Sequence, residues 1–189
     1  MNTLPDSYTL DDLTNQAIIP SRLLALIAPH AASQAMLTLA ARLAQRGPLR
    51  VLDGGNRFNA YIVARALRRS SQDDPVQALE RIRVARAFTC YQMKAMLEGT
   101  PPLAIPTLVI DLLDTFYDES EPLPERRRLA QSCAAHLRRL SQAAPVVVSL
   151  RPPPPPQSDP TGLLDILREA ADMAWLQEAA PPASALRLL

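Results

Sequence analysis

The side chains of this chain that could do chemistry gather in four short stretches, each at the end of an apolar run. Ala28-Pro29-His30-Ala31-Ala32-Ser33-Gln34-Ala35 begins where the run Leu23–Ala28 ends. Asp53-Gly54-Gly55-Asn56-Arg57-Phe58 follows Leu49–Leu52. Asp111 lies inside Thr107–Leu113, with Asp114-Thr115-Phe116-Tyr117 after it, and Ser149-Leu150-Arg151 closes Pro145–Leu150. An aspartate in such a place holds a hard cation or accepts hydrogen bonds from backbone N–H groups. For Asp111 the second role is expected, because no lysine or threonine stands beside it to build a magnesium site. Arg57 and Arg151 would form an anion site if they met; as separate residues they are solvated cations. The 2 cysteines, Cys90 and Cys133, lack any C-x-x-C spacing, and His30 and His136 are far apart. No metal site follows, and the thiols are expected to stay reduced.

The elements that must position these residues alternate along the chain. Leu23–Ala28 has the length of a buried strand, and Ser33–Gln45 carries a helical stripe of Met36, Leu37, Ala40 and Leu43 that Gly47-Pro48 stops. Leu49–Leu52 predicts a second strand and Ala60–Arg69 a helix. Arg81–Phe88 alternates apolar and charged residues as a strand does, and Thr89-x-x-Gln92 has the spacing of a capping box for a helix over Tyr91–Glu98. Thr107–Leu113 predicts a fourth strand, Pro124–Leu140 a long helix, and Pro145–Leu150 a fifth strand. Gly162–Ala171 predicts a helix and Met173–Leu176 an edge strand. Strands separated by helices require crossovers and hence a parallel sheet covered on both faces. The fold expected is one three-layer α/β/α domain with a mostly parallel sheet of about six strands. It occupies residues 21–180, after a short N-terminal segment 1–20 and before a C-terminal tail 181–189. In a sheet of this kind ligands bind at the carboxyl ends of the strands, where the four stretches lie.

Composition narrows the function. The chain has 189 residues, a net charge of +1, 48% apolar residues, 5 glycines and 19 prolines. That balance suits one globular domain and not a duplex-binding module with a large basic excess. The N-terminus lacks a basic region followed by an apolar run, and the least charged stretch, Leu23–Ala41, holds Pro29, His30 and Gln34. Neither a signal peptide nor a membrane span is expected, and the expected location is the cytoplasm. Lys94 is the single lysine among otherwise arginine cations.

Three segments in this order resemble the ATPase core of the RecA/RadA recombinase family, a P-loop NTPase fold. They are RIRVARAFTCYQMKAML, LVIDLLDTFYD and ERRRLAQSCAAHLRRLSQAAPVVVSL, and the resemblance runs from about Leu23 to Gln177. It implies that Asp111 is the Walker B aspartate, that Arg151 falls near a sensor position, and that DNA-binding loops follow strands four and five. The stretch APHAASQA then matches the phosphate-binding loop G-x-x-x-x-G-K-[ST]. Ala28 and Ser33 replace its glycines, Gln34 its lysine and Ala35 its hydroxyl residue. The family's catalytic glutamate falls on Gly55. Phosphoryl transfer needs the lysine, the metal and the water-orienting carboxylate. The resemblance therefore implies a degenerate, non-catalytic paralogue without cofactor, an interaction or regulatory protein of DNA recombination or repair whose partner is a protein such as an active recombinase.

Two other functions compete. One is a single-stranded nucleic-acid binder using loops 114–125 and 152–161, with Arg126, Arg127 and Arg151 as phosphate contacts. The acidity of those loops (Asp114, Asp118, Glu119, Glu121, Glu125, Asp159) makes that binding weak or absent. The other is an ATP-binding enzyme with an unusual loop. The run Pro152–Pro156 is either a stiff connector or a docking segment for a partner groove.

Overall fold

A computed structural model describes residues 22–70, 74–117, 120–152 and 162–176. The N-terminal segment, the proline run beyond Pro152 and the C-terminal tail lie outside the described residues. Six strands form one sheet: β1 (Leu23–Ile27), β2 (Leu49–Asp53), β3 (Ile82–Arg86), β4 (Thr107–Ile110), β5 (Val146–Leu150) and β6 (Met173–Leu176). Every pairing is parallel and the order is β3-β2-β4-β5-β1-β6. Six helices accompany them: α1 (Ser33–Arg46), α2 (Ala60–Ser70), α3 (Pro75–Glu80), α4 (Cys90–Gly99), α5 (Leu123–Ser141) and α6 (Leu163–Ala170).

Alternate strand residues feed two cores. Leu24, Leu26, Val51, Leu108, Ile110 and Val147 pack under α1, α2 and α3. Leu23, Ala25, Ile27, Leu52, Val109 and Val148 pack under α4, α5 and α6. This three-layer arrangement follows from crossover handedness. The steps β1→β2→β3 move toward one edge and the steps β3→β4→β5→β6 toward the other. Right-handed crossovers in opposite directions must use opposite faces. Neighbouring strands that send their chains to opposite faces leave crevices at their carboxyl ends, among them those between β1 and β5 and between β2 and β4.

Local signals set most element ends. Thr89 Oγ1 accepts the Gln92 N–H at 3.1 Å, as the capping-box spacing predicts. Gln92 Oε1 accepts from the Phe88 N–H at 2.8 Å, one residue before the cap. The short helix α3 is not foreseen in the sequence reading, although Asp74-Pro75 is a start signal: Asp74 caps the Val76 N–H at 3.0 Å and Pro75 opens the first turn. β4 stops at Ile110, three residues earlier than its apolar run suggests. Asp111 turns into the left-handed region (φ 50°), and Leu112, Leu113 and Phe116 reach the core from a turn instead of a strand. β3 is the outer edge on one side, with Val84 41% exposed, and β6 the outer edge on the other.

The turn after β4 is thereby anchored by Phe116, which is 0% exposed. Phe116→Ala is expected to cost about 3–5 kcal/mol, the usual loss for a buried phenyl ring. Urea unfolding followed by circular dichroism measures it, and a loss below about 1 kcal/mol would mean the turn is not anchored there.

Candidate functional site at the carboxyl edge of the sheet

The β2–β4 crevice is built around two buried aspartates, one at the end of each strand. Asp53 and Asp111 are both 0% exposed. Asp53 organises the turn after β2: its Oδ1 accepts the Arg57 N–H and its Oδ2 the Phe58 N–H, each at 2.9 Å. Arg86 Nε lies 3.3 Å from Asp53 Oδ2 and its Nη2 donates to the Phe58 carbonyl at 3.0 Å. The turn so formed carries the Arg57 side chain back over β4, where Nε donates to Asp111 Oδ2 at 2.5 Å. Arg151, from the end of β5, places its Nε 3.8 Å from the same oxygen and pairs its Nη2 with Asp114. The Arg151 carbonyl accepts the Tyr117 hydroxyl at 2.7 Å. The Asp111 N–H donates to Ser149 Oγ at 2.9 Å.

Arg57, Asp111 and Arg151, separated by up to 94 positions, thus converge, but on a carboxylate of the protein and not on an open anion site. Asp111 Oδ1 has no hydrogen-bond partner among the described residues. Burial pushes the Asp111 carboxyl above its ordinary range, the Arg57 guanidinium pulls it partly back, and nearby Asp114 pushes it up again. The two glycines of the turn are steric necessities. A Cβ on Gly55 would lie 2.7 Å from Asp111 Cβ and 2.8 Å from its Oδ2. One on Gly54 would lie 2.5 Å from Met93 Cε and 2.9 Å from the Asp111 carbonyl oxygen. Position 55 has no room for a glutamate in this arrangement.

At the β1–β5 crevice, the Ala28 N–H donates to the Leu150 carbonyl at 3.1 Å. Pro29–Ala32 then forms one tight turn in which His30, Ala31 and Ala32 all have positive φ, at 54°, 51° and 46°. Three successive left-handed residues with a Cβ cost roughly 1–2 kcal/mol each. Ser33 spends its hydroxyl on the His30 carbonyl at 2.5 Å. Gln34 is exposed and faces a groove between α1 and α2, away from the turn. Ala35 adds only a methyl group, so this turn carries no cationic or metal-binding side chain apart from His30.

The remaining sequence candidates lie elsewhere. Arg126 is buried, and its Nη1 donates to the Phe116 carbonyl at 3.1 Å, closing the turn after β4. Arg127 is exposed, with its guanidinium beside Gly162. Arg128 pairs with Glu125 at 2.7 Å. Cys90 and Cys133 are free buried thiols, and burial pushes Cys133 up to about 12. Among the described residues no group of three His, Cys, Asp or Glu side chains could hold a metal ion, and no helix is long and apolar enough to cross a membrane. Asp53 and Ser149 stand in the stretches that the sequence marks but receive no role there, and Arg86 is passed over. The available signal was positional: two of the apolar runs each end on or next to an aspartate. No model of a known protein family matches the chain, and no curated protein matches it.

Two outcomes follow from this geometry. Arg57→Ala removes the hydrogen-bonded cation and leaves buried Asp111 only the Arg151 Nε at 3.8 Å, so its folded-state pKa rises further above the unfolded value. A group raised in this way destabilises the fold above that pKa and ceases to do so as it takes up a proton. The variant should therefore lose about 2 kcal/mol at pH 7.5 and visibly less at pH 5, measured by urea unfolding at both; an equal loss at the two pH values would refute the buried-charge account. Ala31→Gly relieves a left-handed alanine at a smaller entropic cost in the unfolded chain. It should raise stability by up to about 1 kcal/mol, read as a higher melting temperature, whereas Ala31→Val should lower it.

Proposed function

We propose that this chain is a RecA-like scaffold without nucleotide chemistry, acting as an interaction or regulatory partner in DNA recombination or repair. The observation that carries the proposal is the Asp111 carboxylate, which the resemblance makes the metal-holding aspartate. Here it is buried, bound by Arg57 at 2.5 Å and packed against Gly55, the position of the family's catalytic glutamate. A guanidinium sits where a metal's charge would be needed, and the carboxylate that would orient water has no space. The β1 turn supports the same reading. Its Ala28, Ser33, Gln34 and Ala35 offer no cation to a triphosphate, and the Ser33 hydroxyl is already spent. The described part of the loop after β4 holds Asp114, Glu121 and Glu125, and Arg126 is occupied by a backbone carbonyl, so this loop offers phosphates little attraction.

Calorimetric titration with Mg·ATP tests the loss of nucleotide chemistry. No saturable heat is expected at millimolar nucleotide. A dissociation constant below about 100 μM, worth roughly 5.5 kcal/mol, would overturn the proposal. The partner half is tested separately with the purified active recombinase of the same cell, immobilised on a biosensor. Reversible binding of this chain is expected, and none at about 50 μM would remove the recombinase from the reading.

A further inference from the structure

The net charge of +1 conceals an uneven distribution. Helices α1 and α2 together carry Arg42, Arg46, Arg65, Arg68 and Arg69 and not one acidic residue. Five positive charges in a chain of net +1 leave the remainder acidic by four. Both helices cover the same face of the sheet and pack on each other, with a groove of about 420 Å³ between them. Arg42, Arg65, Arg69 and Tyr61 line it, with Gln34 and Thr38 on the α1 side. Arg46, Arg65, Arg68 and Arg69 are exposed and make no ion pair among the described residues. The nearest acidic neighbour in sequence after α2 among the described residues, Asp74, is committed to capping α3.

Tyr61 is the feature a merely wet basic face lacks. It is 71% exposed, the largest aromatic exposure in the described chain. Residues 61, 65 and 69 recur every fourth position, so the ring and two guanidiniums stand in a row along about two turns of α2. A row of cations with an accessible aromatic face matches what a single nucleic-acid strand requires: charge for the phosphates and a stacking platform for a base. An acidic protein segment would use the charges but has no need of the ring. We propose that the α1–α2 face binds a single nucleic-acid strand, its phosphates on Arg65 and Arg69 and one base stacked on Tyr61. This face lies on the opposite side of the sheet from Phe116 and α5, which flank the acidic loop after β4, and the proposal does not depend on the RecA-like reading.

Fluorescence anisotropy of a labelled dT20 oligonucleotide with the full chain tests it. Saturable binding is expected with a dissociation constant of roughly 10–100 μM at physiological salt, with a log–log salt slope of about −1.4 for the two phosphate contacts on a single strand. Arg65→Gln combined with Arg69→Gln should weaken binding at least tenfold and flatten the slope by about 1.4, with native circular dichroism. If that pair disturbs the fold, Arg65→Gln alone should flatten the slope by about 0.7. Tyr61→Ala should weaken binding several-fold with the slope unchanged, and Tyr61→Phe should restore it. No binding at 100 μM protein in 50 mM salt, or full binding by the arginine variants, would overturn the proposal. So would loss of binding in Arg127→Gln, which would move the contact to the loops. Displacement of dT20 by polyglutamate at equal charge, with Tyr61→Ala silent, would overturn it in favour of an acidic protein partner.

Discussion

The Asp111 carboxylate is fully buried and meets the Arg57 guanidinium at 2.5 Å, and most of the carboxyl edge is shaped by the need to keep that pair together. Arg57 reaches Asp111 because Asp53 holds the turn after β2 by its backbone. That turn can lie against β4 because positions 54 and 55 lack side chains. Ser149 steadies the backbone of Asp111 from β5. Three strands, β2 with its turn, β4 and β5, are thus tied to one charge, which on its own would strongly oppose folding. The burial-driven upward push on Asp111 indicates that the tie offsets the desolvation cost only in part.

A site of this kind is inward-looking. Its cations answer the protein's own carboxylates, Arg57 and Arg151 on Asp111, Arg151 on Asp114, Arg86 on Asp53. Arg46, Arg65, Arg68 and Arg69 stand in contrast, since they make no ion pair among the described residues and their helices supply no carboxylate. The molecule therefore has a carboxyl edge that is internally neutralised and a helical flank that is not. Surface recognition is better served by the second than by the first.

Periodicity made the fold legible: six strands, their crossovers and the parallel sheet follow from apolar runs and helical stripes. The failures have separate causes. Helix α3 is six residues long, too short for a stripe, and only its Asp74-Pro75 cap announced it. Leu112 and Leu113 read as strand because burial, not strand geometry, makes them apolar. Strand order is a matter of tertiary packing, so the adjacency of β2 and β4 was not written in any local pattern. The meeting of Arg57, Asp111 and Arg151 depends on that adjacency. Sequence could nominate the three residues but not place two guanidiniums about one carboxylate. The left-handed turn at His30–Ala32 was equally hidden, since alanine and histidine give no warning of positive φ.

The strand order also bears on how the chain is made. β1 and β2 are consecutive in sequence yet lie three places apart, and the gap between them is filled by β4 and β5. β1 pairs with β5 and β6, so the run Leu23–Ile27 has no strand partner until residue 146 and beyond have been synthesised. A nascent chain of some 100 residues holds β1 and the β2–β3 pair but cannot join them into one sheet. Closure waits on contacts more than 120 residues apart, which makes for slow folding and a long exposure of apolar strand on the ribosome. For that interval the apolar run Leu23–Ile27 lacks the two neighbours that flank it in the finished sheet.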